Sequence, residues 1–146
     1  MQHRSPDCKN ILDTRYKVKI KYNGITYPSV ENAYYASEFK NPDDQKRFLM
    51  YDPYNAKHYN NIIKAERDPE WINKKYDILY QLLYQKFNDN PDLTDYLLNH
   101  TPDKIVYYNL CHDNELGQCT CHICSNKSGR NIIGKLLMQL RNDLNN

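Results

Sequence analysis

The chain has 146 residues, 40% of them hydrophobic, and its 20 basic residues nearly balance its 18 acidic ones. A net charge of +2 is too even for a coat on nucleic acid or on a membrane surface, both of which need a concentrated basic face. It leaves room for a local basic pocket that holds one small phosphate. A domain of this length buries roughly 68–70% of the surface its unfolded chain exposes, enough for a core without staples. The longest apolar run is far short of the roughly 20 residues of a membrane helix, and the first residues lack the apolar centre of a signal peptide. A cytoplasmic protein, or a nuclear one, is expected.

Residues 16–22 alternate apolar and basic, the period of a half-buried strand. Asn23-Gly24 then gives a tight hairpin turn, and Ile25-Thr26-Tyr27 return as its second strand. Ser29 suits a helix N-cap, which puts Glu31 in the first turn, where the helix dipole favours negative charge. That helix is expected to run to about Lys40, before Asn41-Pro42, with two shorter ones over about 43–51 and 54–66. Asp68-Pro69-Glu70 is a start signal for the longest helix, in which Trp71, Tyr76, Ile78, Leu79, Leu82, Leu83 and Phe87 recur at helical spacing. Asn90-Pro91 opens another helix, Lys104–Tyr108 reads as a strand, and a polar loop over 109–129 precedes a last helix over about 130–142. The pattern predicts a mainly helical α+β single domain. The early hairpin and the late strand are expected to share a small sheet.

Five cysteines, an odd number, include four (Cys111, Cys119, Cys121 and Cys124) in one short loop. A secreted disulfide framework spreads its cysteines through the chain. Cys8 stands apart and reads as an unpaired thiol. Two carboxylates stand out, Glu31 at the strand–helix junction and Asp113 in the late loop. Each also has a plain account, Glu31 as a dipole partner and Asp113 as an ordinary loop acid. Trp71 is core by periodicity, though it lies close enough to a helix start to reach a cleft.

The stretch Ile20-Lys-Tyr-Asn-Gly-Ile-Thr-Tyr-Pro-Ser-Val-Glu31-Asn-Ala-Tyr34-Tyr-Ala-Ser-Glu-Phe39 resembles the signature of the NADAR family, the YbiA-like N-glycosidases. Their pattern is an isoleucine strand, a Gly turn, Tyr/Trp-Pro-Ser/Thr, then Glu-His and an aromatic. The resemblance continues through Arg67, Asp68 and Trp71, Lys86-Phe87, Asp92–Leu98, Asp103–Val106, Asp113 with Gly117, Gly129-Arg-Asn131-Ile-Ile-Gly134 and Leu136–Arg141. It covers about residues 11–144, and implies a domain over 11–146 behind an N-terminal extension, 1–10. It implies hydrolysis of the N-glycosidic bond in early intermediates of riboflavin biosynthesis, ribosyl-phosphate aminopyrimidines, with release of ribose 5-phosphate and disposal of damaging metabolites. Related members remove ADP-ribose from nucleic acid.

On that resemblance, Glu31 is the base or the group that stabilises the oxocarbenium-like cation. Asp113 holds ribose hydroxyls or water, and Trp71 stacks on the base. Arg67 and Arg130 are candidates for the phosphate, Arg130 near a helix N-terminus that favours anions, and Asn131 joins the substrate-binding set. No cofactor is required. The chain departs from the family at Asp13-Thr14-Arg15 (usually Ser-Asn-Phe), Asn32 (His), Glu38 (Lys), Tyr107 (often Glu) and Leu116 (Trp). Where the family has a glycine-filled loop, this one has thiolates and imidazoles dense enough for tetrahedral zinc. Three or four ligands would come from Cys111, Cys119, Cys121 and Cys124, with His112 or His122 as a substitute, in a structural role; the plain alternative is a reduced cysteine cluster without metal. Three readings result: an N-glycosidase of a small ribosyl-phosphate; an ADP-ribosyl hydrolase, the only one that keeps nucleic acid open as a partner; and an impaired ligand-binding or zinc-stapled module.

Overall fold

A computed structural model describes residues 8–145, so the first seven positions of the expected extension lie outside the described residues. The fold class is α+β and mainly helical, as the patterning predicts. The described chain falls into two compact units that divide after Asn90.

In the first unit, β1 (Ile20–Tyr22) and β2 (Ile25–Tyr27) form an antiparallel hairpin. Asn23 and Gly24 both take positive φ, 52° and 77°, a backbone Gly and Asn tolerate better than other residues. Ser29 caps α1 (Val30–Ala36) by accepting from the Asn32 N–H. This helix ends four residues short of expectation. Beyond it Phe39 pairs with Arg67 in a β-bridge, and Asp68 N and Lys40 N donate to Glu38 O and Glu66 O at 2.8 and 3.0 Å. The two expected short helices are also trimmed, to α2 (Pro42–Lys46) with a 3-10 turn over 47–49, and α3 (Ala56–Ile62) behind a 3-10 turn over 53–55. Asp52-Pro53 separates them, and Ile63 turns extended. α4 (Trp71–Asn88) is the long helix, and buries Trp71, Leu79, Leu82, Leu83, Lys86 and Phe87. Lys86 is fully buried among them. Its Nζ donates to Ile11 O and to Asp13 O at 2.9 Å, which pins the segment that precedes β1.

The second unit holds α5 (Pro91–Asn99), α6 (Ile132–Leu144) and a separate two-stranded parallel sheet, β3 (Tyr108–Asn109) with β4 (Gln118–Cys119). The hairpin and the late strand therefore do not share a sheet. The late strand is also shorter and later than 104–108. Asn131 explains the shift: its side chain donates to Ile105 O at 2.9 Å and accepts from Tyr107 N at 2.8 Å. A side-chain amide satisfies backbone groups that would otherwise need a neighbouring strand. Leu93, Leu97, Ile105, Ile133, Leu137 and Leu140 are buried in this unit.

Asn32, one of the departures from the resemblance, is fully buried. Its Nδ2 donates to Phe48 O and Tyr51 O, both at 2.8 Å, and its Oδ1 accepts from Ser29 Oγ at 2.6 Å. It thus fastens the first turn of α1 to the turn over 47–51. Asn32→Ala leaves two carbonyls without their donor, and is expected to cost roughly 2–3 kcal/mol in urea unfolding. A loss below about 0.5 kcal/mol, the level of an ordinary surface substitution, would remove this tie.

Candidate functional site

Glu31 occupies the first turn of α1, as the hairpin and cap predict. Its backbone N donates to Thr14 O at 2.9 Å, and Thr14 Oγ1 donates to its carboxyl at 3.1 Å. The side chain keeps a partial opening to solvent, yet burial dominates its electrostatics and pushes the carboxyl pKa up from 4.5 to about 7. The Arg15 charge opposes that rise, Asp13 adds to it, and the Thr14 hydroxyl and Lys57 lower it. Arg15 itself pairs with Asp13 through both carboxylate oxygens, at 2.9 and 2.6 Å, and lies 4.3 Å from the Tyr54 ring centroid. The departure at 13–15 therefore builds the surroundings of Glu31. Thr14, Arg15 and Lys57 are absent from the sequence-predicted set, because 17, 16 and 26 positions separate them from Glu31 without any local motif.

Arg67 and Trp71 belong to the same unit. Arg67 pairs with Glu38 at 3.0 Å, donates to Asn60 O and Ile63 O, and lies 4.6 Å over the Phe39 ring. Its guanidinium takes the last carbonyls of α3, which accounts for the early end of that helix. Glu38 also accepts from Asn60 Nδ2 at 3.1 Å, so the replacement of the family lysine makes a clamp between α3 and the segment after α1. Trp71 is 8% exposed. Its ring N–H donates to Ser37 Oγ at 2.8 Å, its ring lies 5.3 Å from Tyr34, and Lys75 Nζ stands 5.6 Å from its centroid. A groove of about 360 Å³ between β1 and α4, lined by Tyr22, Lys74, Ile78 and Leu82 among others, includes none of the expected site residues.

The second unit carries the remaining candidates. Asp113 Oδ1 accepts from Glu115 N at 3.0 Å and Leu116 N at 2.8 Å, which closes a tight turn. Asn109 binds the same turn from both sides, accepting from Asp113 N and donating to Asp113 O at 2.7 Å. Asn131 is buried at the N-cap of α6 in left-handed geometry, φ 54°, and both ends of its amide are committed to Ile105 and Tyr107. Gly134 lies against it: a Cβ there would collide with the Asn131 amide and Ile105 O. Arg130 is exposed, and its backbone N donates to Asn114 O at 2.7 Å. Leu116, in place of the family tryptophan, is buried.

One correction concerns the cysteines. A metal-competent group does form, but its members are His112, Cys119, Cys121 and Cys124, all within 4.8 Å of one another. Cys111 is outside it. His112 adopts φ 65°, and this reversal sends adjacent side chains apart: the imidazole toward the sulfurs, and Cys111 Sγ toward Asn109 Oδ1 at 3.5 Å.

Two stability predictions follow from these charges. Between about 4.5 and 7 the native state keeps a proton on Glu31 that the unfolded chain has released. Stability therefore falls as pH rises through that window, by up to about 3 kcal/mol. Glu31→Gln should flatten this fall, so that the variant gains on wild type between pH 5 and 8 in denaturant titrations; parallel curves would refute the assignment. Glu38→Lys, the family residue, sets two cations together at Arg67 and is expected to lower stability by about 1–2 kcal/mol. Unchanged thermal unfolding would show that the Glu38–Arg67 pair holds nothing.

The comparisons with known proteins agree with one another. The NADAR domain profile matches residues 6–145. The chain is 30% identical over 131 residues to the maize (Zea mays) riboflavin biosynthesis protein PYRR, chloroplastic, covering 82% of this chain and 20% of the maize protein. It thus spans about a fifth of that relative's length. The NMR structure of the E. coli protein YbiA superimposes with a TM-score of 0.76 at 22% identity, over 99% of this chain and 87% of YbiA, a likeness of fold. No helix among the described residues is long and apolar enough to cross a membrane. With its profile matched from end to end of the described chain, the protein belongs to the NADAR family.

Proposed function

We propose that this chain is an N-glycosidase that hydrolyses the C–N glycosidic bond of a ribosyl-phosphate aminopyrimidine, an early intermediate of riboflavin biosynthesis. The products are ribose 5-phosphate and the free base, and the role is disposal of a reactive metabolite. One observation carries the reading. Within a NADAR domain, the carboxyl of Glu31 is held by burial at a pKa of about 7, beside the Thr14 hydroxyl and the charges of Arg15 and Lys57. The maize relative's designation as a riboflavin biosynthesis protein supports the substrate class.

The chemistry asks for such a group. As the C–N bond breaks, its electron pair leaves with the base nitrogen and positive charge develops on C1′ and the ring oxygen. An ionised Glu31 stabilises that charge. A water molecule then adds to C1′, Glu31 takes its proton, and that proton passes through solvent to the departing base, so that one water is consumed and Glu31 is again ionised. A pKa near the working pH is the optimum for such a proton acceptor. Arg15 and Lys57, the cations beside Glu31, supply the positive field for the phosphate. Trp71 is the aromatic side chain proposed for the base. The reaction needs no cofactor.

The test is direct. Wild-type protein incubated with the aminopyrimidine ribosyl-phosphate should release ribose 5-phosphate, and Glu31→Gln should lower kcat by about 10²–10⁴. The wild-type kcat/KM should rise with pH through about 7, as Glu31 ionises, and the limb should vanish in the variant. Release no faster than that of Glu31→Gln would sink the proposal in favour of a ligand-binding module.

A further inference from the structure

The segment between β3 and α6 contains a constellation that the proposed hydrolysis does not use. His112, Cys119, Cys121 and Cys124 converge although they are spread over a loop with little regular structure. His112 Nδ1 lies 3.3 Å from Cys121 Sγ, 3.3 Å from Cys124 Sγ and 4.0 Å from Cys119 Sγ. With Zn–N near 2.0–2.1 Å and Zn–S near 2.3 Å, a tetrahedral ion sets its nitrogen about 3.6 Å from each sulfur. The three observed separations bracket that edge.

The surroundings fit as well. Cys121 N is directed at Cys119 Sγ at 3.5 Å, and Cys124 N at Cys121 Sγ at 3.4 Å. Backbone N–H groups aimed at sulfur are the outer contacts that stabilise bound thiolates. Cys119 and Cys124 are buried, Cys121 is partly so, and His112 is exposed. The group is thus anchored inside and reachable from solvent on its imidazole side. All three sulfurs are free thiols. Three soft sulfurs and one imidazole select zinc over hard cations such as magnesium or calcium.

We propose that His112, Cys119, Cys121 and Cys124 bind one Zn²⁺ ion in a closed tetrahedral site that fixes the 109–130 segment. On binding, three thiols release their protons to solvent, three Zn–S bonds form, and the His112 Nδ1 lone pair supplies the fourth. Four protein ligands leave no position for substrate or water, so the ion is structural. It joins β4 to the turn over 121–127 and to the backbone reversal at His112, one residue before Asp113. Cys111, turned to Asn109, takes no part.

Cobalt reports on the site without reference to hydrolysis. The reduced, metal-free full chain titrated with Co²⁺ should develop thiolate-to-cobalt charge-transfer bands and intense tetrahedral d–d bands that saturate at one ion per chain. Zn²⁺ should then bleach them. Cys111→Ser should keep this spectrum, and Cys124→Ser and His112→Ala should lose its tetrahedral character. On the wild-type protein, zinc should slow amide exchange within 109–130 and leave α4 unchanged. Absence of the bands, a weak octahedral spectrum, or equal loss in Cys111→Ser and Cys124→Ser would overturn the proposal. So would zinc-independent exchange in that segment. None of these readings depends on Glu31 or on turnover.

Discussion

A seven-residue helix has no stability of its own in water, so α1 stands where it does only because its first turn is tied on every side. Ser29 caps it, Asn32 secures it to the turn over 47–51, and Thr14 receives the Glu31 N–H. Lys86, reaching from α4, holds the segment that carries Thr14. Every feature of the candidate site in this unit follows from that anchoring. A helix free to slide would take its carboxyl out to water, where no unusual chemistry is available to it.

Burial brings two groups near neutrality from opposite sides. Glu31 is pushed up to about 7, and Lys86 is pulled down to about 7. Each shift expresses the cost of ionising a group among protein atoms. Their contributions to stability slope oppositely: the Glu31 term falls between 4.5 and 7, and the Lys86 term rises between 7 and 10.5. The two have different compensations. Lys86 is given two carbonyls to donate to, as expected of structural furniture. Glu31 is left with a hydroxyl and nearby cations, which suits a group that must change its charge.

Much of this architecture is legible in the residues, wherever the cause is local. Asn23-Gly24 and Ser29 each act within a few positions and mark their elements correctly, whereas Asp68-Pro69-Glu70 forms a turn ahead of α4, which starts at Trp71 with Glu70, not Asp68, at its N-cap. The errors arise where one distant side chain replaces a ladder. Asn131 takes the hydrogen bonds of Ile105–Tyr107 and displaces the late strand, and Arg67 takes the terminal carbonyls of α3. The site divides in the same way. Glu31 is marked by the hairpin and cap, whereas Thr14, Arg15 and Lys57 reach it only through the tertiary fold. In the cysteine loop the residue types announce a cluster, but the choice of His112 over Cys111 depends on a single positive φ.

The hold of Lys86 on the chain before β1 also sets a limit on how far that chain can be shortened. A fragment that begins after Asp13 would strand a fully buried amine without either carbonyl it donates to. One that begins after Thr14 would further strip Glu31 of its hydroxyl and of the carbonyl that receives its backbone N–H. The smallest fragment that keeps the carboxyl in its present surroundings therefore starts no later than Ile11.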